Sequence, residues 1–403
     1  MRTINMTLCL VLAIVGTVLT SCSDDDTGGI APIKVEYDRV TQTDFAAQSN
    51  DFANNLLATL AAKPETANGN IVVSPISMQY LLSMVANTAS EEAQAELFQA
   101  MGMTGYTLSQ VNQYSKELLG RLQQDDRYVK VALANSIWAA DGISFSPNFE
   151  ATIKDYYNGC LTYHDFASKS SEVQGLINKW AQEHTQGMVP AVSANPSAQT
   201  ALILANATYF NGKWSMPFNG RDTCPGTFYN EDNTTSQVNM MNKDMAALVY
   251  ADQEITAAEL TYGRGYYSMI IVMPKDIKEL IANKTDWWGV HNKLVKASEV
   301  KIVLPKFKVQ NSWSDMKDVC QQMGISKIFT FDPNTSVIGT QMAQDVVIEV
   351  DENGTKAASA SHFNGEYGLI DIPKEVCFDH PFVYAVRENT TGTILFIGKV
   401  GRL

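Results

Sequence analysis

The spacing of apolar positions predicts alternating helices and strands along nearly the whole chain. Phe45, Phe52, Leu56, Leu57 and Leu60 recur at helical intervals and predict an amphipathic helix over 45–60. Asn70-Ile71-Val72-Val73 predicts a short buried strand that turns at Ser74-Pro75 into a helix, apolar nearly all round from Met78 to Val85; Pro75 suits a first helical turn. Amphipathic helices follow over Glu91–Gln99, Leu108–Leu122, Phe149–Tyr157 and Glu172–His184, the last stopped by Thr185-Gln186-Gly187. Tyr128 to Trp138 alternates as a strand, and Leu202 to Trp214 is a longer apolar one. Residues 226–274 predict short strands joined by turns, 276–296 a helical stretch, and Trp313–Met323 a helix ended by Gly324.

The most informative stretch lies near the C-terminus. Val346-Val347-Ile348-Glu349-Val350 has the period of a strand and ends at the turn-prone Asp351-Glu352-Asn353-Gly354. Beyond Gly354, Thr355, Ala357, Ser359, Ser361 and Phe363 fall on one side of a period-two reading, all uncharged and mostly small. Lys356, His362 and Asn364 fall on the other side, with Ala358 and Ala360 between them. Such a segment can hide one face in a sheet, yet its continuation, Asn364-Gly365-Glu366-Tyr367-Gly368, reads as loop. The chain carries a strand in reserve behind a glycine pivot.

Glu352-Asn353-Gly354-Thr355-Lys356-Ala357-Ala358-Ser359-Ala360, followed by a loop and Phe378-Asp379-His380-Pro381-Phe382, resembles the hinge and reactive loop of a serpin. Thr393 to Val400 resembles that family's closing strand, and further matches recur in family order. The resemblance implies an α+β fold, the serpin fold, with three β-sheets, about nine helices and an exposed reactive loop. It implies a single domain over 41–403 with the loop at about 354–372, in keeping with the lack of an interior Pro/Gly/Ser linker or repeat. Ser74, Ser77, Asn206 and Gln344 then match the shutter, where the central sheet must part, and Trp214 matches the aromatic lid of the breach above it. A helix cap at Ser74 and Ser77, and plain packing at Trp214, are compatible local roles. Gln344 stands eight residues before Glu352, where inhibitory members often carry a His, so no titrating switch is expected at that point.

On the same resemblance, a protease with a Ser or Cys nucleophile attacks the loop between about Glu366 and Asp371, and the freed segment from Thr355 onward enters the sheet. Counting from Glu352 by family spacing places the cut at Gly368, and counting back from Phe378 places it at Ile370. The two-residue excess is about 7 Å of extended chain. No Arg or Lys lies between Lys356 and Lys374. Tyr367, Gly368, Leu369 and Ile370 therefore suggest elastase-, chymotrypsin- or subtilisin-like targets, with papain-like enzymes as a further class, and Tyr367 or Leu369 as the specificity residue. The alternative within the family is a non-inhibitory member acting as a binding or chaperone-like surface protein, but such members usually carry bulky or charged residues on the inward side of the hinge.

Composition narrows the setting. With 43 acidic against 30 basic side chains and a formal charge of −13, the chain shows no basic stripe and is not expected to bind nucleic acid. Arg2 and the apolar run Leu8–Leu19, ending in Leu19-Thr20-Ser21-Cys22, resemble a bacterial lipoprotein signal peptide over 1–21. That implies lipidation at Cys22, a membrane contact through the anchor alone, and a tether over 22–40. Asp24-Asp25-Asp26 resembles an export tag to the cell surface, which places the protein in the outer membrane facing the extracellular space. Cys160, Cys224, Cys320 and Cys377 show no metal spacing, and no disulfide is proposed among them. The five His residues form no H-E-x-x-H, there is no G-x-S-x-G or P-loop, and adjacent His164-Asp165 on a strand would point to opposite faces. His380 reads as a core histidine. The expectation is a monomeric inhibitor with no catalytic residues, no metal and no cofactor.

Overall fold

The computed structural model describes residues 32–122, 126–329, 340–354 and 373–403. Helix α1 (Asp44–Ala61) starts at Thr43, whose side chain accepts the Ala46 amide, and it buries the stripe Phe45, Phe52, Leu56, Leu57 and Leu60. Strand β1 (Ile71–Val73) leads into α2 (Pro75–Ala86), which is buried on almost every side and so threads the interior. Then come α3 (Glu91–Ala100), α4 (Leu108–Leu122), β2 (Val129–Ala140), α5 (Phe149–Tyr157), β3 (Cys160–His164) and α6 (Phe166–His184). Helix α6 begins earlier than its periodicity predicts. Asp165 caps it by accepting the Ser168 amide, and the non-helical Lys169 interrupts the first turn and breaks the apolar period there.

The next segments are β4 (Leu202–Gly212), β5 (Cys224–Tyr229), β6 (Thr235–Ala251), β7 (Ile255–Tyr262) and β8 (Tyr267–Pro274). The helical stretch expected over 276–296 is instead α7 (Ile277–Ala282) and α8 (Trp287–Lys293), separated at Lys284, whose φ is +61°, and followed directly by β9 (Val295–Pro305). Trp313 is the last residue of β10 (Phe307–Trp313), and the helix predicted from it is the shorter α9 (Met316–Gln322). The chain closes with β11 (Thr340–Val350), β12 (Glu375–Cys377), β13 (Phe382–Glu388) and β14 (Thr393–Val400). Among the described residues there are nine α-helices.

Five strands form one sheet in the order β10-β11-β4-β2-β3, and nine form a second, β1-β14-β13-β8-β7-β6-β9-β12, with β5 on β6. The three expected sheets are connected as two because β6, 17 residues long, pairs in turn with β5, β9 and β7. Helix α2 lies between the sheets, in contact with β14 on one side and with β2 and β4 on the other. Helix α6 covers the opposite face of the five-stranded sheet, packing on Ala134, Ile203, Ala205, Ala207 and Ala343.

Part of the stretch that the lipoprotein resemblance implies as tether is bonded to the body, as is Thr41 just beyond it. The Ile33 amide donates to Ser215 O, the Glu36 and Tyr37 amides to Arg264 O, and the Thr41 amide to Asn389 O. Gly265 permits this approach, because a Cβ there would stand 1.9 Å from Tyr37 O.

Candidate functional site

The site grows from one parallel seam. Strands β4 and β11 pair in parallel from Leu202–Thr340 to Thr208–Val346. On its other side β11 stays paired with β10 as far as Val350–Phe307, so the ladder with β4, equal in length, stops four residues earlier. The two faces of the seam differ. Towards α6 it presents Ala205, Ala207 and Ala343, whose methyl groups offer little to catch on. Towards α2 it presents a buried polar network.

That network braces both strands at one register position, Asn206 opposite Gln344. Gln344 Oε1 accepts the Ser74 amide at 3.0 Å and Gln344 Nε2 donates to Ser74 O at 2.9 Å, so the side chain closes a paired contact with the backbone leading into α2. Ser74 holds the N-cap position but makes no cap hydrogen bond. Its hydroxyl donates to Leu395 O at 2.8 Å and lies 2.8 Å from Ser77 Oγ. Ser77 Oγ in turn lies 2.6 Å from Thr208 Oγ1, which donates to Asn206 Oδ1 at 2.6 Å. Asn206 Nδ2 completes the chain with Ala134 O at 3.0 Å and Asn135 Oδ1 at 2.9 Å on β2.

All of these side chains are buried. Each hydroxyl carries one proton. The protons of Ser74, Ser77 and Thr208 must therefore serve four contacts, with Leu395 O, between Ser74 and Ser77, between Ser77 and Thr208, and with Asn206 Oδ1. Among the described residues, Asn135 Nδ2 has no hydrogen-bond partner. The network is buried and short of full satisfaction, so it rigidifies the sheet less than a fully satisfied one would.

Above the seam, β11 ends in a tight turn. The Asp351 amide donates to Gly354 O at 2.9 Å and the Gly354 amide to Asp351 O at 3.1 Å. The turn is clamped from the side. Trp214 N–H donates to Asn353 O at 3.1 Å, Phe218 N–H to Glu352 O at 2.8 Å, and the Trp214 indole Nε1 to Asp351 O at 3.1 Å. The indole is buried and stacked on Tyr262, with centroids 4.3 Å apart. Gly354 has a φ of +124°, and a Cβ there would meet Trp214 N at 2.4 Å and Gly212 O at 2.5 Å, so only glycine fits.

Charge secures the same turn. Lys306 Nζ is 2.7 Å from Glu352 Oε2 and Thr223 Oγ1 donates to Glu352 Oε1 at 2.8 Å. Burial pushes the Glu352 carboxyl up, but Lys306, its own backbone amide and Thr223 outweigh that and hold it below the ordinary glutamate range. At Asp351 burial dominates and raises the carboxyl. On the α6 face, Asp345 accepts from Ser193 N at 2.7 Å and Ser193 Oγ at 3.1 Å, and Gln341 exchanges hydrogen bonds with the Asn195 backbone. These contacts tie β11 to the segment that follows α6.

The structure thus brings Ser74, Ser77, Asn206 and Gln344 into one network, and Trp214, Glu352 and Gly354 into one clamp. Thr355, Ala357, Ala358, Ser359 and Ala360, the loop residues Tyr367, Gly368, Leu369 and Ile370, and Cys22 lie outside the described residues. Sequence reading missed Thr208, Asn135, Asp345 and the partners of Glu352. Thr208 alone carried a signal, since it stands two residues from Asn206 on a strand and so shares its face. His380 corrects an expectation: it is not a core residue but is 54% exposed, stacked on Tyr229 and hydrogen-bonded to Asp379 at 2.7 Å. Phe378 and Phe382 on either side are buried and make the run look buried throughout, whereas Asp379, His380 and Pro381 between them are not. Cys160, Cys224, Cys320 and Cys377 are free thiols.

Comparison with known proteins gives a consistent result. Residues 47–402 match the family described as "Serpin (serine protease inhibitor)". Iripin-3 of Ixodes ricinus is 29% identical over 375 residues, covering 88% of this chain and 94% of its own length. The leukocyte elastase inhibitor of Bos taurus is 27% identical over 380 residues, covering 88% and 98%. Among solved structures, the thermophilic serpin tengpin in its native state superposes with a TM-score of 0.78 at 23% identity, covering 93% of this chain and all of that one.

Proposed function

The chain belongs to the serpin family, and on that premise we propose that it is a suicide-substrate inhibitor of serine endopeptidases, with cysteine endopeptidases of the papain type as a further target class. The observation that carries this reading is the parallel β4–β11 seam, with β11 running straight into the hinge glycine and the small-residue segment beyond it. A strand inserted between β4 and β11 would be antiparallel to both, which is the direction a chain takes when it turns back at Gly354.

The protease attacks a peptide bond between about Glu366 and Asp371, and its nucleophile forms an acyl bond to the new C-terminus while the downstream segment leaves as a free amine. Residues from Thr355 onward then enter the seam, with Ala357 and Ser359 presenting small side chains to the interior. To admit them, the contacts of Gln344 with Ser74 and of Thr208 with Ser77 part or slide, and the alanine face under α6 lets the strands move. Insertion forms roughly ten to twenty backbone hydrogen bonds at ~1 kcal/mol net each, comparable to the ~5–15 kcal/mol stability of a typical protease. Dragging the acylated enzyme can therefore distort its active site before water releases it. Target enzymes of elastase-, chymotrypsin- or subtilisin-like specificity follow from the uncharged run Tyr367-Gly368-Leu369-Ile370 and the lack of Arg or Lys between Lys356 and Lys374. The inhibitor acts from the outer face of the cell envelope, held by lipid at Cys22.

The test is incubation of residues 23–403 with such proteases, followed by denaturing gel and mass spectrometry. The expected result is a covalent complex that survives detergent, with a released peptide that begins between Gly368 and Asp371. Clean cleavage without a complex across the panel would favour a non-inhibitory surface protein.

A further inference from the structure

The N-terminal segment leaves the folded body at the breach. Its first hydrogen bond to the body is made by Ile33, a buried residue whose amide donates to Ser215 O at 3.0 Å. The residue before Ser215 is Trp214, whose amide donates to Asn353 O at 3.1 Å in the hinge turn. Two consecutive residues therefore hold the chain's exit point and the hinge. Further ties fix that exit: the Glu36 and Tyr37 amides donate to Arg264 O, Arg264 Nη1 lies 3.4 Å from Glu36 Oε2, and Tyr37 stacks on Tyr266 with centroids 5.5 Å apart. Gly354, where the reserve strand begins, bridges Lys213 at this same end of the seam. The other end, at Leu202 and Thr340, is the 11 residues of β11 away, or about 35 Å.

Chain length then limits where the hinge end can go. Eleven positions separate Cys22 from Ile33. Fully extended, they span about 40 Å at most. A folded body of the size of residues 47–402 is roughly 50 Å across. A lipid at Cys22 therefore keeps the hinge end closer to the bilayer than the body's own width, and that end cannot become the outermost part of the molecule. The Leu202–Thr340 end carries no such restraint. A protease arriving from solution has to enter the space between the hinge end and the bilayer, whereas one confined to the same surface meets the inhibitor at a raised effective concentration.

We propose that the partner is a protease held at the same membrane surface, trapped in preference to one diffusing in solution. The inference rests on the lipid anchor and the inhibitory reading given above, and adds where the target works. It is tested on phosphatidylcholine vesicles containing a nickel-chelating lipid, with residues 23–403 carrying a hexahistidine tag in place of Cys22. The probe is the protease of the panel above that residues 23–403 trap fastest in solution, either tagged onto the same vesicles or free, and the readout is the rate of detergent-stable complex formation. The vesicle-held protease should be trapped about tenfold faster than the free one. Moving the tag to the exposed positions before β4, between Ala198 and Gln199, lets the hinge end face outward and should lower that preference about tenfold. Should the inserted tag unfold the protein, as judged by its melting, a Gly/Ser linker of about thirty residues behind the N-terminal tag replaces it and should lower the preference about fivefold, since effective concentration falls with tether length. Equal rates for held and free protease, or a preference that ignores tag position and tether length, would overturn the proposal. So would a full-length chain recovered from the membranes of a lipoprotein-processing bacterium without lipid on Cys22, which would leave the inhibitory reading intact. No complex with any protease in solution would sink the inhibitory reading, and this proposal with it.

Discussion

Replacing Gln344 by Leu removes one side chain from the brace while nearly keeping its volume. Gln344 is fully buried, and its amide is the partner of both backbone groups of Ser74, the N–H and the C=O. Leucine serves neither. A buried polar group left unpaired costs about 1–3 kcal/mol, so the variant loses about 2–6 kcal/mol. Unfolding entropy near 2.1 cal/mol/K per residue, taken over the family-matched residues 47–402, converts this to a fall of about 3–8 °C in melting temperature. The control is Glu349→Gln on the same strand. Its ion pair with Lys308, 3.0 Å long, is solvent-exposed, so its loss should cost no more than about 1 kcal/mol. The brace reasoning adds a kinetic consequence. Ser74 holds β11 through Gln344, and Ser77 holds β4 through Thr208, so cutting one arm frees one edge of the seam. Gln344→Leu should therefore convert to a form that no longer traps protease faster than the parent on mild heating. Differential scanning calorimetry and residual inhibition against time measure the two effects. A melting temperature within about 1 °C of the parent, with an unchanged rate of inactivation, would refute the brace.

Two further substitutions probe other parts of the account. Ala357→Glu places a carboxylate on the inward face of the entering strand, where its desolvation opposes insertion, and should turn the inhibitor into a cleaved substrate; full retention of inhibition would sink the assigned facing. At Glu259 burial pushes the carboxyl up, but Arg387 and His291 overcome it and hold it down at about 2 against an ordinary 4.5. A folded-state value depressed in this way contributes stability above the unfolded value, here about 3 kcal/mol, and that contribution is lost as pH falls from about 4.5 towards 2. Glu259→Gln should be less stable at neutral pH and should show a shallower loss of stability across that acid window; denaturant titrations at several pH values with parallel acid limbs would contradict this.

How much of this was legible in the sequence depends on the reach of each contact. Stripes such as Phe45 to Leu60 and the alternation from Val346 to Val350 are local, and they predicted α1 and the end of β11. The first part of β11, Thr340 to Asp345, was not recognised as strand because Gln341, Gln344 and Asp345 interrupt its apolar pattern. These are the residues that reach to Asn195, Ser74 and Ser193. The site residues legible in the sequence rest on motif resemblance, whereas their partners emerge only in the tertiary structure. Lys306 meets Glu352 across 46 positions of chain, and Thr223 across 129. The merging of the sheets was hidden for a similar reason, since the partners that β6 takes along its length are set by tertiary structure.

The central claim is that a cut loop becomes a strand between β4 and β11, and melting of the intact and loop-cleaved protein tests it most directly. Roughly ten to twenty added backbone hydrogen bonds at ~1 kcal/mol net each, divided by the same unfolding entropy, predict a rise of about 13–26 °C after cleavage between Glu366 and Asp371. A cleaved protein that melts at or below the temperature of the intact one would show that the segment stays outside the sheet and would contradict the mechanism.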